Sequence, residues 1–147
     1  MTRGEAWSLH LSNGLVAGTG VVYAWMRYFA EPTDPYAIAN HPWQPHLQHA
    51  HILLAPLLLF ACGVVFKRHV WSRVRSGFQP RRPTGLVLAL MLVPMVMSGY
   101  ALQTTGDELW NRIWVWVHVA TSVLWVVGYA VHLLSPRPRL VDEAAAD

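Results

Sequence analysis

IWVWVHVATSVLWVVGYAVHLL, residues 113–134, contains no aspartate, glutamate, lysine or arginine. As a helix rising about 1.5 Å per residue it reaches roughly 33 Å, enough to cross the hydrocarbon core of a bilayer. His118 and His132 stand fourteen residues apart in it. At about 100° per residue they fall about 40° from alignment on one face, separated by roughly 21 Å along the axis. One face therefore presents two imidazoles, one towards each membrane surface. Thr121, Ser122, Trp125, Gly128 and Tyr129 share that face, and Ser122 and Gly128 are each four residues from a histidine. Small side chains at these two positions make room for a flat group beside the imidazoles.

Three further apolar runs, at about residues 9–29, 46–66 and 84–102, are long enough to cross. The chain is 54% hydrophobic and 13% charged, a balance rare in a soluble domain of 147 residues. These features predict an all-α membrane protein: a four-transmembrane-helix bundle forming one membrane domain over residues 1–147, with a mobile tail at 135–147. The first run is expected to be a span rather than a cleaved signal peptide, because its leader carries one arginine and an acid and the run itself holds His10 and Asn13. Pro94 and Pro56 are expected to kink the third and second spans. Four spans and their connections use most of the chain, so a substrate-oxidising domain is expected on another polypeptide.

The basic residues follow membrane topology rather than a nucleic-acid footprint. Lys67, Arg68, Arg73, Arg75, Arg81 and Arg82 join spans two and three, and Arg3, Arg137 and Arg139 flank the ends. On the opposite side, residues 31–45 and 103–112 bring Glu31, Asp34, Asp107 and Glu108 beside Arg27 and Arg112. The positive-inside bias predicts that both termini are cytoplasmic. Trp25, Tyr28, Trp43, Tyr100, Trp110 and Trp114 then fall where interfacial anchors belong. Cys62, the single cysteine, excludes an internal disulfide, a Cys-x-x-Cys-His attachment site and a cysteine-ligated iron–sulfur cluster.

Eight histidines in so apolar a chain need a physical reason, since an imidazole inside lipid requires a hydrogen-bond partner or a metal. A bis-histidine haem needs two imidazoles at one depth on different helices. Antiparallel topology matches His132, near the cytoplasmic end of span four, with His10 at the start of span one, where Gly14 and Gly18 clear space in the following turns. It matches His118 with the start of span two, which offers His46, His49 and His51. Two haems per chain are expected. His41 and His46 are read as polar-loop residues and His69 as part of the charged junction. Two alternatives stay open: histidines that only hydrogen-bond within a haem-free scaffold or assembly subunit, and a zinc or copper site built from His46, His49 and His51.

At these residues the chain resembles the four-helix dihaem cytochrome b subunits of membrane formate dehydrogenases and nickel–iron hydrogenases. That family has one histidine at the start of span one, one at the start of span two and two on span four, fourteen residues apart. His10, His118 and His132 match by position. On span two, His51-Ile-Leu-Leu-Ala55-Pro56-Leu57 is similar to the family's His-x-x-x-Gly-Pro-Leu, which favours His51, with His49 as its substitute. Leu11 stands where the family often has tryptophan after the first histidine, and residues 31–45 have their own proline-rich sequence.

The resemblance implies two haem b groups, His10 pairing with His132 and His51 with His118, and a quinone near the cytoplasmic haem. It implies an electron-transfer subunit of a larger oxidoreductase complex, rather than an enzyme alone, in a bacterial inner membrane. Its partners would be haem- or iron–sulfur-bearing redox subunits, with membrane lipid around it and no nucleic acid.

Overall fold

The computed structural model describes residues 2–32, 34–77 and 82–135, with Arg82 described by its backbone only. These residues form helices and no strands. α1 runs Arg3–Tyr28 and α2 Gln44–Val65. α2 continues through a π-helical turn, Phe66–Trp71, into the short α3, Ser72–Arg75. α4 spans Arg82–Thr104 and α5 Glu108–Leu134. The expected tail, apart from Ser135, and Arg81, Arg137 and Arg139 lie outside the described residues.

Three helical stretches among the described residues are long and apolar enough to cross a membrane: Gln44–Arg75, Pro83–Thr104 and Glu108–Leu134. α1 is long enough, with 26 residues. Its apolar character is diluted by Glu5, Ser8, His10, Ser12, Asn13 and Thr19. The serine and threonine hydroxyls turn back on their own helix: Ser8 donates to Glu5 O, Ser12 to Ser8 O and Thr19 to Leu15 O. Hydroxyls bonded this way are compatible with an apolar surrounding. Large apolar side chains such as Leu53, Phe60, Leu90 and Trp116 are more than two-thirds exposed, as expected of helices whose solvent is lipid.

α1 and α5 begin before the expected spans, each at a capped N-terminus. Thr2 accepts from Glu5 N while Glu5 accepts from Thr2 N, a capping box that starts α1 six residues before the apolar run. Asp107 accepts from Trp110 N and starts α5 at Glu108. α3 gives way to a turn in which Gly77 has φ +68°, a conformation suited to glycine.

The chain divides into two compact units, residues 1–72 and 73–147. In the first, α1 packs on α2. Asn40, in the connection, donates through its side-chain Nδ2 to Arg27 O and through its backbone N–H to Gln44 Oε1. The Arg68 guanidinium meets Glu5 at 3.0 Å. In the second unit α4 packs on α5 through a three-residue connection, residues 105–107.

Candidate functional site

His118 lies half-buried on α5, facing α4. Its Nδ1 is 3.0 Å from Met95 O and 3.2 Å from Ser98 Oγ. A carbonyl oxygen can only accept, so Nδ1 carries the proton and donates. The Ser98 hydroxyl donates its own hydrogen to Pro94 O at 2.7 Å, which turns an oxygen lone pair towards the ring. Ser98 is fully buried, so no water competes for this bond. Beside it, Gly99 lets the ring approach: a Cβ there would stand 3.2 Å from His118 Cε1.

His51 on α2 repeats this arrangement against α1. Its Nδ1 donates to Val16 O at 3.0 Å and faces Thr19 Oγ1 at 3.3 Å. The Thr19 hydroxyl donates to Leu15 O at 2.8 Å. A Cβ at Gly20 would lie 2.9 Å from His51 Cε1, closer than a real contact allows. His132, on the same α5 face as His118, has Nδ1 2.9 Å from Thr84 Oγ1, and a Cβ at Gly85 would meet its Cε1 at 3.5 Å.

These contacts fix what the imidazoles can do. With the proton on Nδ1, the lone pair of a neutral ring sits on Nε2, the nitrogen that ligates a metal when Nδ1 is held by a carbonyl or hydroxyl. His51 and His118 thus have the tautomer that an axial haem ligand needs. His10 is half-buried on α1 with its ring edge-on to Trp7, centroids 6.4 Å apart. Each expected axial pair, His10 with His132 and His51 with His118, takes one imidazole from each unit.

The other expected residues divide. His49 is exposed on α2, whereas His51 packs on α1. Gly14 and Gly18 have no neighbouring atom within 4 Å of a built Cβ. The space left by Gly128 is taken by Leu88 of α4, whose Cδ2 would stand 3.3 Å from a Cβ, so this glycine serves close helix packing. Ser122 is half-buried on α5. His41 lies in the connection, accepting from Trp43 N, and His46 packs its ring near Trp43 in the first turn of α2. Among the described residues no three His, Cys, Asp or Glu side chains gather to hold a metal ion, so His46, His49 and His51 do not form such a group.

Sequence reasoning missed Thr19, Thr84 and Ser98 and the glycines that follow them. A signal was present: Thr84-Gly85 and Ser98-Gly99 are fourteen residues apart, the spacing of His132 and His118 on the next span. No protein-family model matches this chain, and no characterised protein or solved structure is significantly similar to it. The resemblance to the dihaem cytochromes therefore rests on histidine spacing and the motif beginning at His51.

Proposed function

We propose that this chain is a dihaem cytochrome b subunit that passes electrons across a bilayer between a quinone pool and a redox partner. The observation that carries the reading is the α5 face with His118 and His132, two imidazoles fourteen residues apart, each held at Nδ1 by α4. His51, held by α1 through Val16 O, supplies a third imidazole of the same kind. In this reading α1 is the fourth span, His10 completes the cytoplasmic haem with His132, and His51 completes the outer haem with His118.

The haems supply the one-electron chemistry, while the protein supplies ligands, a low dielectric and position. Saturation of both axial sites suits electron transfer rather than oxygen binding. Both termini are cytoplasmic in this proposal, in a bacterial inner membrane. The segments 31–45 and 103–112 face a haem- or iron–sulfur-bearing partner outside, and quinone reaches the inner haem from the lipid. A reporter active only outside the cytoplasm, fused at Asp147, should be silent.

The same hydrogen bonds support a second reading, a haem-free membrane scaffold, since imidazoles bonded to carbonyls are also satisfied structural groups. A reduced-minus-oxidised visible spectrum and a pyridine haemochrome assay on the purified protein decide between them. Two b-type haems per chain are expected. A colourless preparation overturns the dihaem reading in favour of the scaffold.

A further inference from the structure

Three dipeptides of one type, a hydroxyl residue followed by glycine, receive three histidine rings. Thr19-Gly20 receives His51, Thr84-Gly85 receives His132 and Ser98-Gly99 receives His118. In the two cases where the helical turn before the dipeptide is described, the parts are the same. The carbonyl three residues before the hydroxyl accepts from Nδ1, the hydroxyl turns a lone pair to the same nitrogen, and the glycine leaves room for Cε1. On the antiparallel pair α4–α5 the two seats and two rings are both fourteen residues apart, so they meet in one register.

We propose that Thr19-Gly20, Thr84-Gly85 and Ser98-Gly99 are built seats that fix the tautomer and ring plane of His51, His132 and His118, making them positioning residues for the metal-ligating nitrogen Nε2. As a statement about haem ligands this rests on the dihaem reading, but the seats themselves are properties of the two hairpins. The hydroxyl adds a second acceptor in a dry environment, where a hydrogen bond is not exchanged for one to water. The glycine determines how far the ring can turn. A methyl group at Gly20 or Gly99 would push the imidazole away from the carbonyl that holds it.

The test is ring 15N–1H correlation spectroscopy of the full-length protein in detergent with 15N-labelled histidine, kept reduced so that any low-spin haem iron is diamagnetic. His51, His118 and His132 should each show a protonated Nδ1, slow to exchange with solvent, and an unprotonated Nε2. Ser98→Ala should speed exchange at His118 Nδ1 roughly five- to tenfold, the factor for one net neutral hydrogen bond, and leave His51 unchanged. Ser98→Thr should restore the slow rate. Thr84→Val should act in the same way on His132 alone, and Thr19→Val on His51 alone. A proton on Nε2 of His118 or His51, or unchanged exchange in Ser98→Ala and Thr19→Val, overturns the seats. If Ser98→Ala does not fold, Thr19→Val and Thr84→Val carry the same two outcomes. The visible spectrum of each sample separates the two ideas. Haem without the Nδ1 pattern sinks the seats and leaves the cytochrome reading, whereas the pattern in a colourless protein does the reverse.

Discussion

The α4–α5 hairpin is joined at both depths by imidazole seats, His118 on Ser98 and His132 on Thr84. The α1–α2 hairpin combines one such seat, His51 on Thr19, with an ion pair at its polar end, Glu5 with Arg68. Both devices tie one helix to the next, but in different media. Within an apolar span no water offers a replacement bond, so a lost partner is felt in full. At the Arg68 end water and salt screen the pair, and the Arg68 side chain is 65% exposed. The seats that join α4 to α5 should therefore be indifferent to ionic strength, while the first hairpin is sensitive at its Arg68 end.

The largest effect should come from removing the seated rings. In the dihaem reading, His118→Ala and His51→Ala each lower the haemochrome count from two to one per chain, and His49→Ala leaves it at two. Loss on His49→Ala with retention on His51→Ala would mean that the span-two register is wrong by two residues. Next in size is the contrast between glycines of one helix. Gly20→Ala drives a Cβ to 2.9 Å from His51 and should destabilise the protein by about 1–3 kcal/mol, the scale of overpacking. Gly14→Ala meets open space in the hairpin and should be neutral or stabilising by up to about 1 kcal/mol, from helix propensity. Unfolding titrations in mixed micelles would read both, and equal losses would break the distinction between the two positions.

A smaller effect concerns pH. The Thr2 backbone N–H, helped by Arg68, holds the Glu5 carboxyl below its ordinary value of 4.5. A depressed folded-state pKa contributes stability that is present above the unfolded value and lost as pH falls through the folded one. The protection of first-turn amides of α1, relative to their intrinsic exchange, should fall as pH drops below about 4.5 in the wild type and show no such step in Glu5→Gln. The turns around Ser98 should show no such step, and a matching step there would erase the contrast between the hairpins. Smallest of all is Arg112→Ala, which removes an exposed i,i+4 pair with Glu108 and should cost no more than about 0.5 kcal/mol by the same titration.

The apolar runs made α2, α4 and α5 legible, because a bilayer demands a length and a composition that sequence displays directly. α1 was legible as a helix, but its polar residues keep it out of the three stretches that are long and apolar enough to cross. The capped ends were also readable in principle, since Thr2-x-x-Glu5 and Asp107 carry ordinary start signals. The π turn at Phe66–Trp71 was not, because an extra residue in a helical turn leaves no compositional mark. For the site, periodicity assigned His118 and His132 to one face, yet it could not say which nitrogen each ring engages. That depends on which backbone carbonyl lies opposite, and Val16 and Met95 have nothing in their side chains to announce it. Gly128 shows the converse: its small size was visible, but Leu88, on another helix, decides what fills the gap.

The Nδ1 contacts of His51 and His118 each close within a single hairpin, Val16 to His51 and Met95 to His118. Each therefore becomes available once two consecutive helices have left the ribosome and met. Neither contact draws on a residue of the other hairpin or on a prosthetic group. In the dihaem reading, haem loading is then a late step onto imidazoles that their own hairpins have already aimed.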